Sequence, residues 1–141
     1  MDIQQIHELF LQCHSVSIDT RKIQPKCLFV AIKGDRFDAN TFAQEALDKG
    51  ASYVIIDNPS FFIDERTILV DDSLTALQAL AKFHRAFLKL PIIAITGSNG
   101  KTTTKELIQV VLSKKFRTIA TIGNLNNHIG VPLTLLSFNE K

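Results

Sequence analysis

Apolar residues recur at helical spacing in four stretches of the chain, and each stretch predicts an amphipathic helix. Asp2 is the predicted amino-terminal cap of the first helix, and Ser73 is that of the third. Gly50 suits the left-handed position that follows the second helix, and Pro91 ends the third. The four predicted helices span residues 3–11, 42–49, 74–88 and 101–113.

Short, continuous apolar runs lie between these helices and predict buried strands. The Asn-Pro-Ser sequence at residues 58–60 is a turn signal between two of them, and residues 33–40 are polar and predict a loop. Because strands alternate with helices, the pattern predicts an α/β fold with a parallel sheet. The predicted strands cover residues 27–32, 53–56, 67–70, 92–96 and 117–121.

Pro91 marks the predicted domain boundary, because the pattern after it starts a new strand–helix–strand unit. Residues 1–90 are expected to form a small α/β domain, and residues 91–141 the start of a second, parallel-sheet domain. One crossover cannot bury both faces of a parallel sheet, so the second domain is expected to be truncated.

Composition excludes several classes of function. The 141 residues are 45% hydrophobic and carry a net charge of +2, with no basic run of the kind that binds nucleic acid. No apolar run approaches the roughly 20 residues that cross a bilayer, and no secretory signal is visible. Cys13 and Cys27 match no metal spacing and are expected to be reduced thiols. A cytoplasmic protein without membrane insertion is expected.

The most informative stretch is Thr-Gly-Ser-Asn-Gly-Lys-Thr-Thr-Thr at residues 96–104. Its glycines let backbone N–H groups approach an anion, and the following helix points its positive end at the same place. Lys101 can reach the terminal phosphates of ATP, and the Thr102 hydroxyl can bind Mg²⁺. Ile95 stands where the general motif has its first glycine, and the alternative is a glycine turn with a solvated lysine. The predicted ATP-binding residues are Gly97, Ser98, Asn99, Gly100, Lys101, Thr102 and Thr103.

This loop resembles the version found in the Mur ligases and their folylpolyglutamate synthetase relatives. Residues 19–38 resemble the amino-terminal segment of the Mur ligases that handle later precursors. Residues 123–136, together with Lys105 and Glu106, resemble the branch of the family that serves the D-alanyl-D-alanine step. The resemblance covers essentially the whole chain.

The resemblance implies an ATP-dependent ligase of peptidoglycan synthesis. In that family, ATP phosphorylates the terminal carboxylate of UDP-N-acetylmuramoyl-tripeptide, and the amine of D-alanyl-D-alanine attacks the acyl phosphate. Residues 1–90 would bind the UDP-linked precursor, and residues 91–141 would begin the central ATP-binding domain. Because the family's enzymes are several times longer, this chain alone is not expected to catalyse ligation. The parent enzyme is expected to be a monomer.

The same resemblance implies roles for individual residues. Asn126 and Asn127 would lie near the ATP phosphates and the incoming carboxylate, and with Lys101 they form the implied catalytic set. Arg21 and Lys33 have simple solvation as their alternative, Phe37 a place in the core, and the two asparagines a turn. The residues implied to contact the uridine nucleotide are Thr20, Arg21, Lys33, Gly34, Phe37 and Asp38.

The sequence is also compatible with other functions. One is the sister ligase that adds the third amino acid, which residues 123–136 disfavour. Another is a binding module that holds the UDP-linked precursor without catalysis. A generic phosphate-loop ATPase would leave residues 19–38 unexplained. The histidines are assigned no role, and His84 is expected to be packed on the apolar face of its helix.

Overall fold

The computed structural model describes residues 1–34, 37–123 and 125–139. Within them, no helix is long and apolar enough to cross a membrane. Single turns of 3₁₀ helix occur at Thr20–Lys22, Ala39–Phe42 and Pro59–Phe61. The strands are β1 (Ser15–Ser17), β2 (Cys27–Val30), β3 (Tyr53–Ile56) and β4 (Thr67–Leu69). The α-helices are α1 (Ile3–Phe10), α2 (Ala43–Asp48), α3 (Ser73–Leu88), α4 (Lys101–Leu112) and α5 (Gly130–Leu136).

The four strands form one parallel sheet in the order β1-β2-β3-β4. Its register pairs Val16 with Leu28, Phe29 with Val54, and Ile55 with Ile68. The predicted α/β fold with a parallel sheet is therefore confirmed. The edge strand β1 escaped the sequence analysis, because Ser15 and Ser17 interrupt its apolar pattern.

Both faces of the sheet are buried, and the alternation along β2 shows how. Leu28 and Val30 point into one core, and Cys27 and Phe29 point into the other, so all four residues of this strand are buried. The first core is covered by α1, α3 and α5, and the second by α2 and the neighbouring 3₁₀ turns. The buried members of the first core include Ile6, Phe10, Leu28, Val30, Ile55, Ile68, Leu77, Leu80 and Leu136.

The helix ends test the predicted caps. Asp2 caps α1 in a reciprocal capping box with Gln5, as predicted. The prediction for Ser73 is wrong: Asp72 caps α3, and its Oδ1 accepts a hydrogen bond of 2.6 Å from the Thr75 amide. Asp72 has the extended backbone of a capping residue, whereas Ser73 is already the first residue of the helix and is fully buried.

The second half of the chain lacks two predicted strands. Helix α4 occurs as expected, but neither residues 92–96 nor residues 117–121 form a strand, so these two strand predictions are wrong. An apolar run becomes a strand only when a neighbouring strand completes its hydrogen-bond ladder. Several of these side chains are exposed instead, including Ile93 at 62%.

Helix α5 packs on the first half of the chain, where it contacts α3 and β1. Its Leu136 is 5% exposed and belongs to the core that contains Leu28 and Leu80. Gly130 permits the close approach at the start of this helix, because a Cβ there would lie 2.8 Å from the backbone of Leu125. The boundary at residue 91 remains a prediction, and α5 shows that residues beyond it complete the first core.

Two buried histidines connect α1, α3 and the segment after α5. His7 Nε2 lies 3.0 Å from His84 Nδ1, and His84 Nε2 lies 3.0 Å from the carbonyl oxygen of Phe138. Because a carbonyl can only accept, His84 Nε2 carries a proton, and in the neutral ring Nδ1 then accepts from His7 Nε2. The expected packing of His84 is confirmed, although its bonds to His7 and Phe138 were not predicted.

The burial of His7 makes stability depend on pH. Burial lowers the pKa of His7 from its ordinary value of 6.5, and nearby His84 lowers it further, whereas Glu8 opposes the shift. The unfolded chain therefore binds the proton more readily, so His7 stabilises the fold fully above its unfolded pKa and loses that contribution as pH falls below it. We expect the unfolding free energy, measured with urea between about pH 7.5 and 5.5, to fall less steeply in His7→Gln than in the unsubstituted chain.

The matched control is His14→Gln, since the side chain of His14 is exposed. It should keep the pH dependence of the unsubstituted chain. An unchanged slope in His7→Gln would contradict the assignment.

Candidate functional site

The candidate precursor site lies at the edge of the sheet where the strands end. Because all four strands are parallel, their carboxyl ends meet at this edge, which is where open α/β sheets bind ligands. The loop after β2 contributes Lys33, Gly34, Phe37 and Asp38, and Asp57 follows β3.

A cleft of about 310 Å³ opens at this edge. It brings together three of the residues implied to bind the uridine nucleotide, Lys33, Gly34 and Phe37. It also adds His128 and Ile129 from the segment before α5, which sequence analysis did not assign to this site. The complete lining is Ile18, Ile32, Lys33, Gly34, Phe37, Leu74, His128 and Ile129.

The loop after β2 holds an aromatic ring at the surface. Lys33 and Asp38 form an antiparallel bridge, and the Gly34 amide donates a 2.9 Å hydrogen bond to the Phe37 carbonyl. The Phe37 ring lies so close to Gly34 that a Cβ there would be 3.0 Å from Cε1. Phe37 is 59% exposed, so the alternative that it is a core aromatic is wrong.

A buried asparagine fixes this loop to the end of β3. Asn40 is fully buried, and its Nδ2 donates to Asp38 Oδ1 at 2.6 Å and to Asp57 Oδ1 at 2.7 Å. Its Oδ1 accepts from the Asp57 amide at 3.0 Å, and Asp57 Oδ2 in turn accepts from the Ser73 amide at 3.1 Å. The network therefore joins the cleft loop, β3 and the start of α3. The burial of Asn40 was not predicted, since nothing in a polar loop signals burial.

The turn after β1 is built differently from the cleft loop. The guanidinium of Arg21 bonds both carboxylate oxygens of Asp19, with Nε–Oδ1 at 2.9 Å and Nη2–Oδ2 at 2.8 Å. These bonds lower the pKa of Asp19 to about 2. The Arg21 side chain is 85% exposed, and the Thr20 carbonyl accepts a hydrogen bond from Lys49. Neither Thr20 nor Arg21 lines the cleft.

The phosphate loop has the backbone that an anion site needs. Gly97 has φ +150° and Gly100 has φ +75°, conformations that favour glycine, and an added Cβ on Gly100 would meet no atom within 4 Å. Among the described residues no side chain caps the first turn of α4, so its N–H groups face the loop uncapped. The Lys101 ammonium donates to the Gly97 carbonyl. Ser98, Asn99, Thr102 and Thr103 are exposed around this turn.

Residues 125–129, which include Asn126 and Asn127, connect the half of the chain that carries the phosphate loop to the cleft. Asn127 Oδ1 accepts from the Gly130 amide at 2.7 Å and from the Ile129 amide at 3.2 Å, so Asn127 has the turn contacts given above as the alternative to a site role. Asn126 is exposed beside it. Gln78 Nε2 on α3 donates a 3.1 Å hydrogen bond to the His128 carbonyl, which ties the segment to the sheet-bearing half. No group of three or more metal-binding side chains occurs among residues 1–34, 37–123 and 125–139.

Two protein-family models match this chain. Residues 12–85, more than half of the chain, match the model described as the Mur ligase family, catalytic domain. The chain belongs to the Mur ligase family. Residues 95–141 match a second model, the Mur ligase middle domain. The family resemblance inferred from the phosphate loop and from residues 19–38 and 123–136 is thus confirmed.

Relatives with similar sequences carry the same enzyme name. The chain is 47% identical, over 129 residues, to the UDP-N-acetylmuramoyl-tripeptide–D-alanyl-D-alanine ligase of Bacillus subtilis (strain 168). It is 46% identical, over 122 residues, to the ligase of the same name from Escherichia coli (strain K12). These alignments cover 90% and 86% of this chain but 28% and 27% of the relatives. The chain therefore spans less than a third of their length.

Solved Mur ligase structures share the fold. A MurF crystal structure from Acinetobacter baumannii superposes with a TM-score of 0.83 at 34% identity, covering 98% of this chain and 33% of that one. MurF from Thermotoga maritima, solved in complex with ADP, gives a TM-score of 0.79 at 34% identity, covering 90% of this chain and 29% of that one.

The buried asparagine network generates a stability prediction. Asn40→Ala would remove the donor shared by two carboxylates and leave the Asp57 amide without its acceptor in the interior. We expect a loss of about 2–4 kcal/mol in the unfolding free energy, measured by urea denaturation.

Asn58→Ala is the control, because the Asn58 side chain caps a 3₁₀ turn, with Oδ1 3.0 Å from the Ser60 amide, but is only half-buried. It should cost about 0.5–1 kcal/mol. Equal losses in the two variants would contradict a special role for Asn40.

Proposed function

We propose that this chain is the amino-terminal part of an ATP-dependent ligase that joins D-alanyl-D-alanine to UDP-N-acetylmuramoyl-tripeptide through an acyl phosphate in peptidoglycan synthesis. The observation that carries the proposal is the 47% identity to a ligase of that name, over 90% of this chain. A phosphate loop at the start of α4 and a cleft at the sheet edge supply matching chemistry on one chain. The proposed enzyme acts in the cytoplasm as a monomer.

Residues 1–90 are the proposed precursor-binding domain, assisted by the segment before α5. A cleft of about 310 Å³ is at the lower end of small-molecule sites, so it would hold one part of the UDP-linked precursor. Lys33 offers a cation to a phosphate, and the exposed ring of Phe37 offers a surface on which a base can stack. Gly34 and Asp38 shape the same loop, and Thr20 and Arg21 would contact the precursor outside the cleft.

Residues 91–141 are the proposed start of the ATP-binding domain, with Mg²⁺ as the metal. When bound, ATP supplies the phosphoryl group that activates the precursor's carboxylate. The backbone of residues 97–103 would hold the phosphates, and Lys101 would exchange its carbonyl partner for phosphate oxygen. The exposed hydroxyl of Thr102 would bind the metal ion. Asn126 and Asn127 would orient the carboxylate toward the phosphate.

The first test is calorimetric titration of this chain with UDP-N-acetylmuramoyl-tripeptide. The cleft residues predict binding that Lys33→Ala weakens about tenfold, the loss of roughly one charge-assisted hydrogen bond. Lys82→Ala is the control, because Lys82 is exposed on α3 and does not line the cleft. Equal affinity in both variants would remove Lys33 from the site.

A matched pair of arginines tests the turn after β1. Arg21 and Arg66 make the same bidentate bond to an aspartate two residues earlier. Arg21 follows β1, whereas Arg66 precedes β4, so in this parallel sheet the two lie at opposite ends of the strands. If Arg21 contacts the precursor, Arg21→Ala weakens binding and Arg66→Ala does not. Equal weakening would show that the bond to aspartate, and not the precursor, accounts for the effect.

Turnover distinguishes the proposed ligase from its alternatives. In the full reading frame, phosphate release from Mg-ATP should require both the tripeptide precursor and D-alanyl-D-alanine. Release with a precursor that lacks the third residue, and with a single amino acid in place of D-alanyl-D-alanine, would favour the sister ligase. Precursor binding without any turnover would favour a binding module.

A further inference from the structure

A short segment joins the phosphate-loop helix to the cleft; its described residues, 121–123 and 125–130, are called here the bridge segment. One end lies beside α4, where two of its carbonyl groups accept hydrogen bonds from a lysine. The other end lines the cleft through His128 and Ile129. Asn126 and Asn127 lie between these ends. Their distance from the phosphates must therefore depend on how the bridge segment is attached to α4.

Lys105 makes that attachment. Its Nζ donates to the Thr121 carbonyl at 2.6 Å and to the Gly123 carbonyl at 3.4 Å, and it pairs with Glu106 Oε1 at 2.8 Å. An ammonium has three protons, and here each has an acceptor. The Lys105 side chain is only 14% exposed, which is low for a lysine on a half whose apolar side chains are largely exposed.

The position of Lys105 on α4 gives this contact its meaning. Lys105 stands one helical turn after Lys101, so the two side chains project from neighbouring positions on one helix. Lys101 bonds the phosphate loop at Gly97, and Lys105 bonds the bridge segment at Thr121 and Gly123. One rigid helix therefore carries both attachments. Gly123 has φ +56°, so the chain turns directly at the anchored carbonyl.

The far end of the bridge segment is held independently. Gln78 bonds the His128 carbonyl, and Asn127 Oδ1 accepts a hydrogen bond from the amide of Gly130, the first residue of α5. With both ends fixed, the asparagines have a defined place between the phosphate loop and the cleft. If the Lys105 end were released, the segment would remain tied to α3 but would lose its register with α4.

We propose that Lys105 is a positioning residue, which holds Asn126 and Asn127 in register with the phosphate loop. The inference rests on the proposed function, because it gives the asparagines a reaction to serve. Lys105 itself touches neither nucleotide nor precursor in this assignment. Its loss should therefore slow the chemical step without weakening ATP binding, since a displacement of about 1 Å at reacting groups costs on the order of 100-fold in rate.

The kinetic test uses the full reading frame with Lys105→Met, Lys105→Arg and Lys114→Met. Lys105→Met keeps the length of the side chain and removes its donors. We expect kcat to fall about 10- to 100-fold, with the KM for Mg-ATP within about threefold of the unsubstituted enzyme. Lys105→Arg should recover part of the loss, because it restores donors. Lys114→Met, at an exposed lysine just beyond the end of α4, should behave as the unsubstituted enzyme.

A second measurement needs no catalysis. Amide hydrogen exchange in the 141-residue chain should become faster across residues 121–123 and 125–128 in Lys105→Met, and should be unchanged in Lys114→Met. Unchanged exchange in Lys105→Met would overturn the inference, since the anchor would then not hold the segment. Exchange that is faster throughout the chain would also overturn it, because Lys105 would then support the whole fold.

The outcomes separate this inference from the proposed function. An active unsubstituted enzyme with an equally active Lys105→Met variant overturns the role of Lys105 alone. A raised KM for Mg-ATP with unchanged kcat also overturns it, because Lys105 would then act on nucleotide binding. No dipeptide-dependent turnover in the unsubstituted enzyme overturns the proposed function, and the role of Lys105 in ligation with it. Faster exchange in the bridge segment together with the loss of kcat supports the inference.

Discussion

A parallel sheet has to be covered on both of its faces, and the rest of this structure depends on that requirement. Each crossover takes the chain back across a face, so every strand runs the same way and ends at the same edge. Strand β2 meets this requirement fully, because each of its four residues is buried. The helices that satisfy it, α1, α3 and α5 on one face and α2 on the other, also decide which polar loops meet at the sheet edge. The cleft is therefore a consequence of how the core is closed.

Local motifs at this edge gain significance from where the fold places them. The Asp19–Arg21 and Asp64–Arg66 turns have the same hydrogen bonds. In each, the aspartate carboxylate accepts from the guanidinium and from the backbone amide of the arginine two residues later. These bonds alone explain why each turn is stable. Only the first follows a strand, so only the first belongs to the end of the sheet where ligands bind. The buried Asn40 differs, since its bonds reach a different strand and align the loop after β2 with the start of α3.

The sequence predicted what is encoded locally and strongly. Helices α1 to α4 and strands β2 to β4 follow from periodicity, caps and short apolar runs. Strand β1 was missed because its serines conceal an edge strand, and α5 because Gly130 and Pro132 resemble helix breakers. The apolar runs at residues 92–96 and 117–121 were wrongly predicted as strands. Hydrophobicity indicates that a segment favours burial, but it does not show that a neighbouring strand is available to pair with it. The burial of Asn40 and the approach of His128 to the cleft depend on distant packing, which no local pattern contains.

The two candidate sites, the phosphate loop and the cleft, also differ in whether adjacent or distant residues form them. The phosphate loop needs only two glycine conformations and the start of α4, all within adjacent residues, so it forms although the neighbouring apolar runs make no sheet. The cleft draws on residues from Ile18 to Ile129, and its far wall exists only because α5 packs on α3 and Gln78 holds His128. Loosening α5 would thus open the cleft and leave the phosphate loop intact. The bridge segment connects the phosphate-loop helix to the cleft, so its contacts have to be compatible with the geometry of both sites.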